Sequence, residues 1–168
     1  CSYEKVLVDN GSTEALCLVR EGWRTVRYDD NRGHIVGQNR CFESAQGEWV
    51  LFVANDVRLH LNCIKGLWSL RDDGLFPFAV GQFQPALFKP DGTADQMGMD
   101  WKWPGYGISR TKFLGNHTPI VPSSCYLIRK SVWQSLGGFD VQLLTSHEDV
   151  DFGLRLQTRG YWNLCRYS

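Results

Sequence analysis

Trp49-Val50-Leu51-Phe52-Val53 is an unbroken apolar run, bounded by Gly47 on one side and Asn55 on the other. Continuous apolar character between turn residues is the pattern of a central strand buried on both faces of a parallel sheet. The segments around it agree. Lys5–Asp9 reads as a second buried strand that ends in the turn Asn10-Gly11-Ser12, and a helix over Thr13–Glu21 follows. Trp23–Tyr28 has period-two character, while His34–Gln46 places Ile35, Asn39, Phe42 and Ala45 on one helical face. Leu61–Leu70 reads as another amphipathic helix. Strands alternating with helices at this spacing imply βαβ units. The expectation is a single α/β domain with a mainly parallel central sheet built from strands at 5–9, 23–28, 49–53 and 125–128.

The second half is less regular. From Phe76 to Pro122 the chain is rich in Gly, Pro and aromatic residues, with strands expected at Ala79–Gln84 and Ala86–Lys89. Pro90-Asp91-Gly92 is a turn signal. Residues 91–118 contain Trp101, Trp103 and Tyr106 without clear periodicity, and a loop of that length in a compact domain is usually functional or mobile. Regular structure resumes with a strand at Cys125–Ile128, helices at Lys130–Leu136 and Glu148–Arg159, and a last strand near Trp162–Cys165.

A chain of 168 residues is one domain on the length prior and can bury a core without disulfides or metal. Its 18 basic and 18 acidic residues leave no net field to favour nucleic acid or an anionic membrane. No apolar run is long enough to span a bilayer, and no signal segment opens the chain. Six scattered cysteines without a Cys-x-x-Cys pair fit neither a zinc site nor a compact disulfide framework. Reduced thiols in a cytoplasmic protein, with peripheral contact at a membrane left open, are the expectation. Asn116-His117-Thr118 matches a glycosylation acceptor, which we read as chance.

Ligands of open α/β sheets sit beyond the carboxyl ends of the strands. Two strands deliver an acidic residue there, Asp9 and Asp56. Asp9 suits hydrogen bonds from a base or ribose. Asp56 suits a hard divalent cation that keeps coordination sites for a diphosphate. Each also has a plainer reading as a turn or capping residue. The third acidic site is Glu148, Asp149 and Asp151 at the mouth of a helix, following Gly137-Gly138-Phe139-Asp140. A helix N-terminus stabilises carboxylates, and one held there can act as a general base toward a hydroxyl. The plainer reading is that Glu148 and Asp149 charge the helix start while Asp151 pairs with Arg155 at i,i+4.

The ordered series Val8-Asp9-Asn10-Gly11-Ser12-Thr13, Asn31-Arg32-Gly33 with Asn39, Gly47–Phe52, Asn55-Asp56-Val57, Gly137–Asp140 and Glu148–Asp151 with Leu154-Arg155 and Gly160-Tyr161 resembles family 2 glycosyltransferases of the GT-A fold, including rhamnosyltransferases of polysaccharide biosynthesis. The resemblance covers nearly the whole chain, which looks shortened at the family's first strand and after its last. It implies a donor-binding half over 1–75 and an acceptor-side half over 76–168. Asp9, Asn10, Gly11, Ser12, Asn31, Gly33, Asn39 and Asn55 would line the donor site, and Asp56 would hold Mg²⁺ or Mn²⁺ against the donor diphosphate. Asp149 would be the base of an inverting displacement, with Glu148 orienting the acceptor. The acceptor would be a glycan, a lipid-linked sugar or another hydroxyl compound. Ala54 stands where the family's metal motif has its first acidic residue.

Three readings stay open: an active inverting transferase, a degenerate member that binds nucleotide or a partner without turnover, and a carbohydrate- or protein-binding module using Trp101, Trp103 and Tyr106. Loss of the family's first strand would expose a sheet edge that a neighbouring chain could cover, which leaves a homodimer open.

Overall fold

The computed structural model describes residues 2–14, 22–70, 79–144 and 146–166. Its elements in chain order are β1 (Lys5–Asn10), β2 (Trp23–Tyr28), α1 (His34–Ser44), β3 (Trp49–Val53), α2 (Cys63–Leu70), β4 (Val80–Pro85), β5 (Leu87–Phe88), β6 (Ala94–Gln96), β7 (Met99–Lys102), β8 (Tyr106–Ser109), β9 (Cys125–Arg129), α3 (Lys130–Ser135), α4 (Glu148–Thr158) and β10 (Trp162–Arg166). A single 3-10 turn spans Val141–Leu143. The helix expected over Thr13–Glu21 lies largely outside the described residues.

The central sheet has four strands in the order β10-β4-β9-β3. β10 runs parallel to β4, but β9 is antiparallel to both β4 and β3. β1 and β2 form a separate parallel pair in register from Lys5↔Trp23 to Asn10↔Tyr28. The expectation of a mainly parallel sheet is therefore corrected to a mixed one. Strand direction is carried by the connections and not by the apolar run. The segment from β5 to residue 124 is an excursion that returns the chain to the carboxyl end of β3, so β9 enters the sheet pointing back.

Both faces of the sheet are covered, as the apolar runs require. Val50 and Phe52 of β3 with Tyr126 and Ile128 of β9 face α1, α3 and α4. Their neighbours Trp49, Leu51 and Leu127 face α2, where Leu67 and Leu70 pack with Phe83 and Leu164. Phe42 is the hub of the first layer. Its ring stacks on Trp133 at 4.9 Å and on Tyr126 at 5.9 Å, and meets Phe139 edge-on at 6.2 Å. Such aromatic pairs stabilise by about 0.5–1.5 kcal/mol beyond the area they bury.

Residues 91–118, expected to lack periodicity, hold three short strands. β5 pairs antiparallel with β6, and β7 with β8. Gly98 and Gly105 take positive φ beside these strands, so the chain turns too often for a sequence window to register an alternation.

Candidate active site

β1 carries Asp9 into the interior, where 1% of it is exposed. Burial of a lone carboxylate is costly, and here it is compensated by pairing. Arg27, the register partner of Asp9 on β2, donates through Nη1 to Asp9 Oδ2. The Ser12 N–H donates to Asp9 Oδ1 at 2.9 Å, and Arg27 Nη2 reaches the Ser12 carbonyl at 2.8 Å. Arg27 was not singled out from the sequence. Its position facing Asp9 follows only once β1 and β2 are known to be neighbours.

The next residue ties β1 to the start of α1. Asn10 Nδ2 donates to Asn31 Oδ1 at 3.1 Å and to the Gly33 carbonyl at 2.9 Å, while Asn10 Oδ1 accepts from Arg32 N at 3.2 Å. The Gly33 N–H closes the loop on Asn31 Oδ1 at 2.9 Å. Gly11 permits this approach. Its φ is +77°, and a Cβ there would lie 2.2 Å from the Asp30 carbonyl carbon. Asn39 is engaged differently from the other donor-site candidates. Both of its amide atoms bind the Phe139 backbone, Nδ2 to the carbonyl at 2.9 Å and Oδ1 from the N–H at 3.0 Å. It clamps α1 onto the Gly137–Asp140 turn.

Asn55 and Asp56 lie exposed in the turn after β3. The turn is anchored by Ala54, whose N–H donates to the Ser124 carbonyl at 2.8 Å. Ser123 and Ser124 thus join the Asp56 turn to the acidic start of α4. The Ser123 hydroxyl donates to Glu148 Oε1 at 2.8 Å, and the Ser123 N–H donates to the Asp149 carboxyl.

Glu148 and Asp149 have different environments although they are neighbours in sequence. Glu148 is 4% exposed, and its Oε1 also accepts from Gln38 Nε2 at 3.2 Å and lies 3.3 Å from His34 Nε2. Asp149 is half-buried. Burial raises its carboxyl above the ordinary value of 3.8, and the charge of Glu148 raises it further. A raised carboxyl is a stronger base than an ordinary one. Asp151 is engaged by a different partner. Arg155 binds Asp151 Oδ2 through Nε at 2.8 Å and also donates to the Leu136 and Gly138 carbonyls. The plainer i,i+4 reading holds for that residue. His147, directly before α4, has a φ of +69°, a backbone state uncommon outside glycine but one that histidine takes more readily than most residues.

Among the described residues no group of three His, Cys, Asp or Glu could hold a metal ion. Cys41, Cys63, Cys125 and Cys165 are free thiols, and burial pushes Cys125 up to about 12. No helix among the described residues is long and apolar enough to cross a membrane.

Residues 1–137 match the family described as Glycosyl transferase family 2, a match that ends before α4. The O-antigen biosynthesis protein RfbC of Myxococcus xanthus is 29% identical over 187 aligned positions, covering 97% of this chain and 14% of RfbC. Among solved structures, GalNAc-T7 with UDP, GalNAc and Mn²⁺ superposes with a TM-score of 0.75 at 14% identity, covering 96% of this chain and 36% of that one. The mannosyltransferase PcManGT from Pyrobaculum calidifontis, in complex with GDP-Man and Mn²⁺, gives 0.68 at 17% identity, covering 98% and 46%. At these identities the likeness to solved structures is one of fold. The chain spans well under two thirds of the length of each of these proteins.

Proposed function

The chain belongs to glycosyl transferase family 2 and has the GT-A fold, and we propose that it transfers a sugar from a nucleoside-diphosphate donor to an acceptor hydroxyl with inversion. The observation that carries this reading is Asp149: a half-buried carboxylate, raised in pKa, on the first turn of α4 and linked through Ser123 and Ser124 to the Asp56 turn.

In this reading the first 75 residues bind the donor and the remainder serves the acceptor. Asp9, buried and held by Arg27 and Ser12, fixes the turn that sets Asn10, Asn31 and Gly33 beside the base or ribose of the donor. Asp149 takes the proton of the acceptor hydroxyl. The acceptor oxygen forms its bond to the anomeric carbon from one face as the bond to the diphosphate oxygen breaks on the other, and the nucleoside diphosphate leaves with that electron pair. Glu148, expected from the sequence to orient the acceptor, is 4% exposed and bonded to interior partners, so in this reading it acts through Asp149. Its charge raises the proton affinity of Asp149, and its bonds to Gln38 and Ser123 hold the helix start in place.

The residues present fit a divalent cation as one shared with the donor. Asp56 offers an exposed oxygen ligand with Asn55 beside it, and Ala54 removes the other family carboxylate. Mg²⁺ or Mn²⁺ accepts oxygen ligands and keeps positions for phosphate, and when bound it would neutralise charge on the leaving diphosphate. Mn²⁺ accompanies the nucleotide in both superposed structures.

The second reading, a member that binds nucleotide without turnover, is favoured by that same Ala54. Titrating UDP- and GDP-sugars with and without Mn²⁺, while following hydrolysis and transfer, separates the two. Binding with turnover supports the transferase, and metal-dependent binding alone supports the second reading.

A further inference from the structure

The β7–β8 hairpin presents two faces with different surroundings. Residues directly opposite in an antiparallel pair point to the same side, as do residues two apart along one strand. Trp101 pairs with Gly107 and Met99 with Ser109, so these four share a face, while Asp100, Lys102, Tyr106 and Ile108 share the other. Gly107 marks which way the first face looks. A Cβ there would lie 1.9 Å from Met99 Sδ and 3.2 Å from Val150 Cγ2. The first face is therefore turned toward the start of α4, against the residue that follows Asp149. Trp101 stands on that face and remains 40% exposed.

The hairpin is held firmly in this position. Met99 and Ile120 exchange backbone bonds at 3.1 and 3.2 Å, and Met97 N–H reaches the Arg110 carbonyl at 2.8 Å. Arg110 in turn binds Asp100 Oδ1 through Nε at 3.0 Å and the His117 carbonyl at 2.9 Å. Trp103, 81% exposed in the turn, meets the Trp101 ring edge-on at 6.5 Å. The aromatic pair stands on the hairpin that packs against Val150 of α4 and offers a flat apolar surface there.

We propose that Trp101 is the platform on which a pyranose ring of the acceptor stacks, with Trp103 as its outer wall, and that this chain therefore glycosylates a sugar and not a simple alcohol. A pyranose has an apolar C–H face and a hydroxyl edge. Stacking the face on the indole turns the edge toward Asp149, which is the orientation proton removal requires. The assignment rests on the transferase reading above, because Asp149 gives the platform its direction.

The test uses the intact chain and four methyl pyranosides (rhamnoside, mannoside, galactoside and N-acetylglucosaminide), with glycerol phosphate as a ringless hydroxyl control. Saturation-transfer NMR should show ring C–H protons of at least one pyranoside in contact with the protein. The contact should weaken by about tenfold or more in Trp101→Ala and survive in Trp101→Phe. Nucleotide binding with Mn²⁺, measured by calorimetry on the same samples, should be unchanged in both variants. Signals that persist in Trp101→Ala, or equal contact by glycerol phosphate, overturn the platform while leaving the transferase reading intact. Self-association lost in Trp101→Ala would assign the indole to a second copy and overturn it likewise. Failure of the wild-type chain to bind any nucleotide overturns the transferase reading and the acceptor role together.

Discussion

Gln38 and Glu148, separated by 110 positions, meet in the interior, with Gln38 Nε2 donating to Glu148 Oε1 at 3.2 Å. The bond joins α1, which follows the Asn10–Asn31–Gly33 cluster, to α4, which carries Asp149. The same oxygen accepts from Ser123 at 2.8 Å, so one buried carboxylate fixes three segments. Replacing it removes the acceptor that the buried Gln38 and the half-buried Ser123 share. Glu148→Ala is expected to destabilise the fold by about 1–3 kcal/mol, read as a fall in the urea midpoint. Glu148→Gln, which keeps shape and an acceptor oxygen, should cost less. Equal midpoints for Glu148→Ala and the wild type would mean that the network contributes nothing to stability.

Gly11 makes a sharper prediction because no side chain can move aside. The obstacle to a Cβ is the Asp30 backbone at 2.2 Å, and the residue sits at a φ of +77°. Gly11→Ala combines left-handed strain with overpacking, each of order 1–3 kcal/mol. Thermal unfolding should report a loss of about 2 kcal/mol or more. Nucleotide affinity should fall with it, since Asn10 and Asn31 can no longer close on Gly33. A protein of wild-type stability would show that the β1 turn relaxes freely.

Much of this was legible in the chain. The strands at 23–28 and 49–53 have the expected bounds, and helices α1, α3 and α4 begin where the sequence places them, because apolar runs, glycine turns and acidic helix starts are local signals. What stayed hidden depends on partners distant in sequence. β9 reads the same in either direction, so its antiparallel pairing with β3 could not be foreseen. Asn39 looks like one more polar residue for a cleft until the Phe139 backbone, 100 positions later, takes both of its amide atoms. Arg27 is an ordinary strand arginine without Asp9 beside it. Thr118, the end of the apparent glycosylation acceptor, is fully buried and its hydroxyl donates to the Ile120 carbonyl, a structural role.

The metal prediction follows from how few ligands the chain offers. Asp56 is exposed and stands without a cluster of carboxylates among the described residues. The free protein should bind Mn²⁺ weakly in calorimetry, and more strongly once UDP or GDP supplies phosphate oxygens. Asp56→Ala should abolish this coupling and lower nucleotide affinity only in the presence of metal. Tight binding of Mn²⁺ to the free protein, or coupling that survives Asp56→Ala, would move the ion elsewhere.

Asp149→Asn separates chemistry from architecture. The amide keeps the size of the carboxyl and one acceptor oxygen for the neighbouring N–H groups, but it cannot take a proton. Transfer should fall by on the order of a hundredfold to ten-thousandfold, the usual worth of a general base, with nucleotide binding unchanged. Stability should show the complementary sign. Because burial and Glu148 raise the native carboxyl above its ordinary 3.8, the folded state holds that proton more tightly than the unfolded chain. The resulting stabilisation is complete below 3.8 and is lost as pH rises through the native value. Asp149→Asn lacks this step, so it should be at least as stable as the wild type at neutral pH, and its stability should decline less between acid and neutral pH. The rate profile of the wild type should have an acid limb above the ordinary carboxylate value, shifted downward in Glu148→Gln because one raising charge is gone. A folded Asp149→Asn protein with normal turnover would remove Asp149 from the reaction. Asp151, paired with Arg155, would then be the next carboxylate at the start of α4 to test.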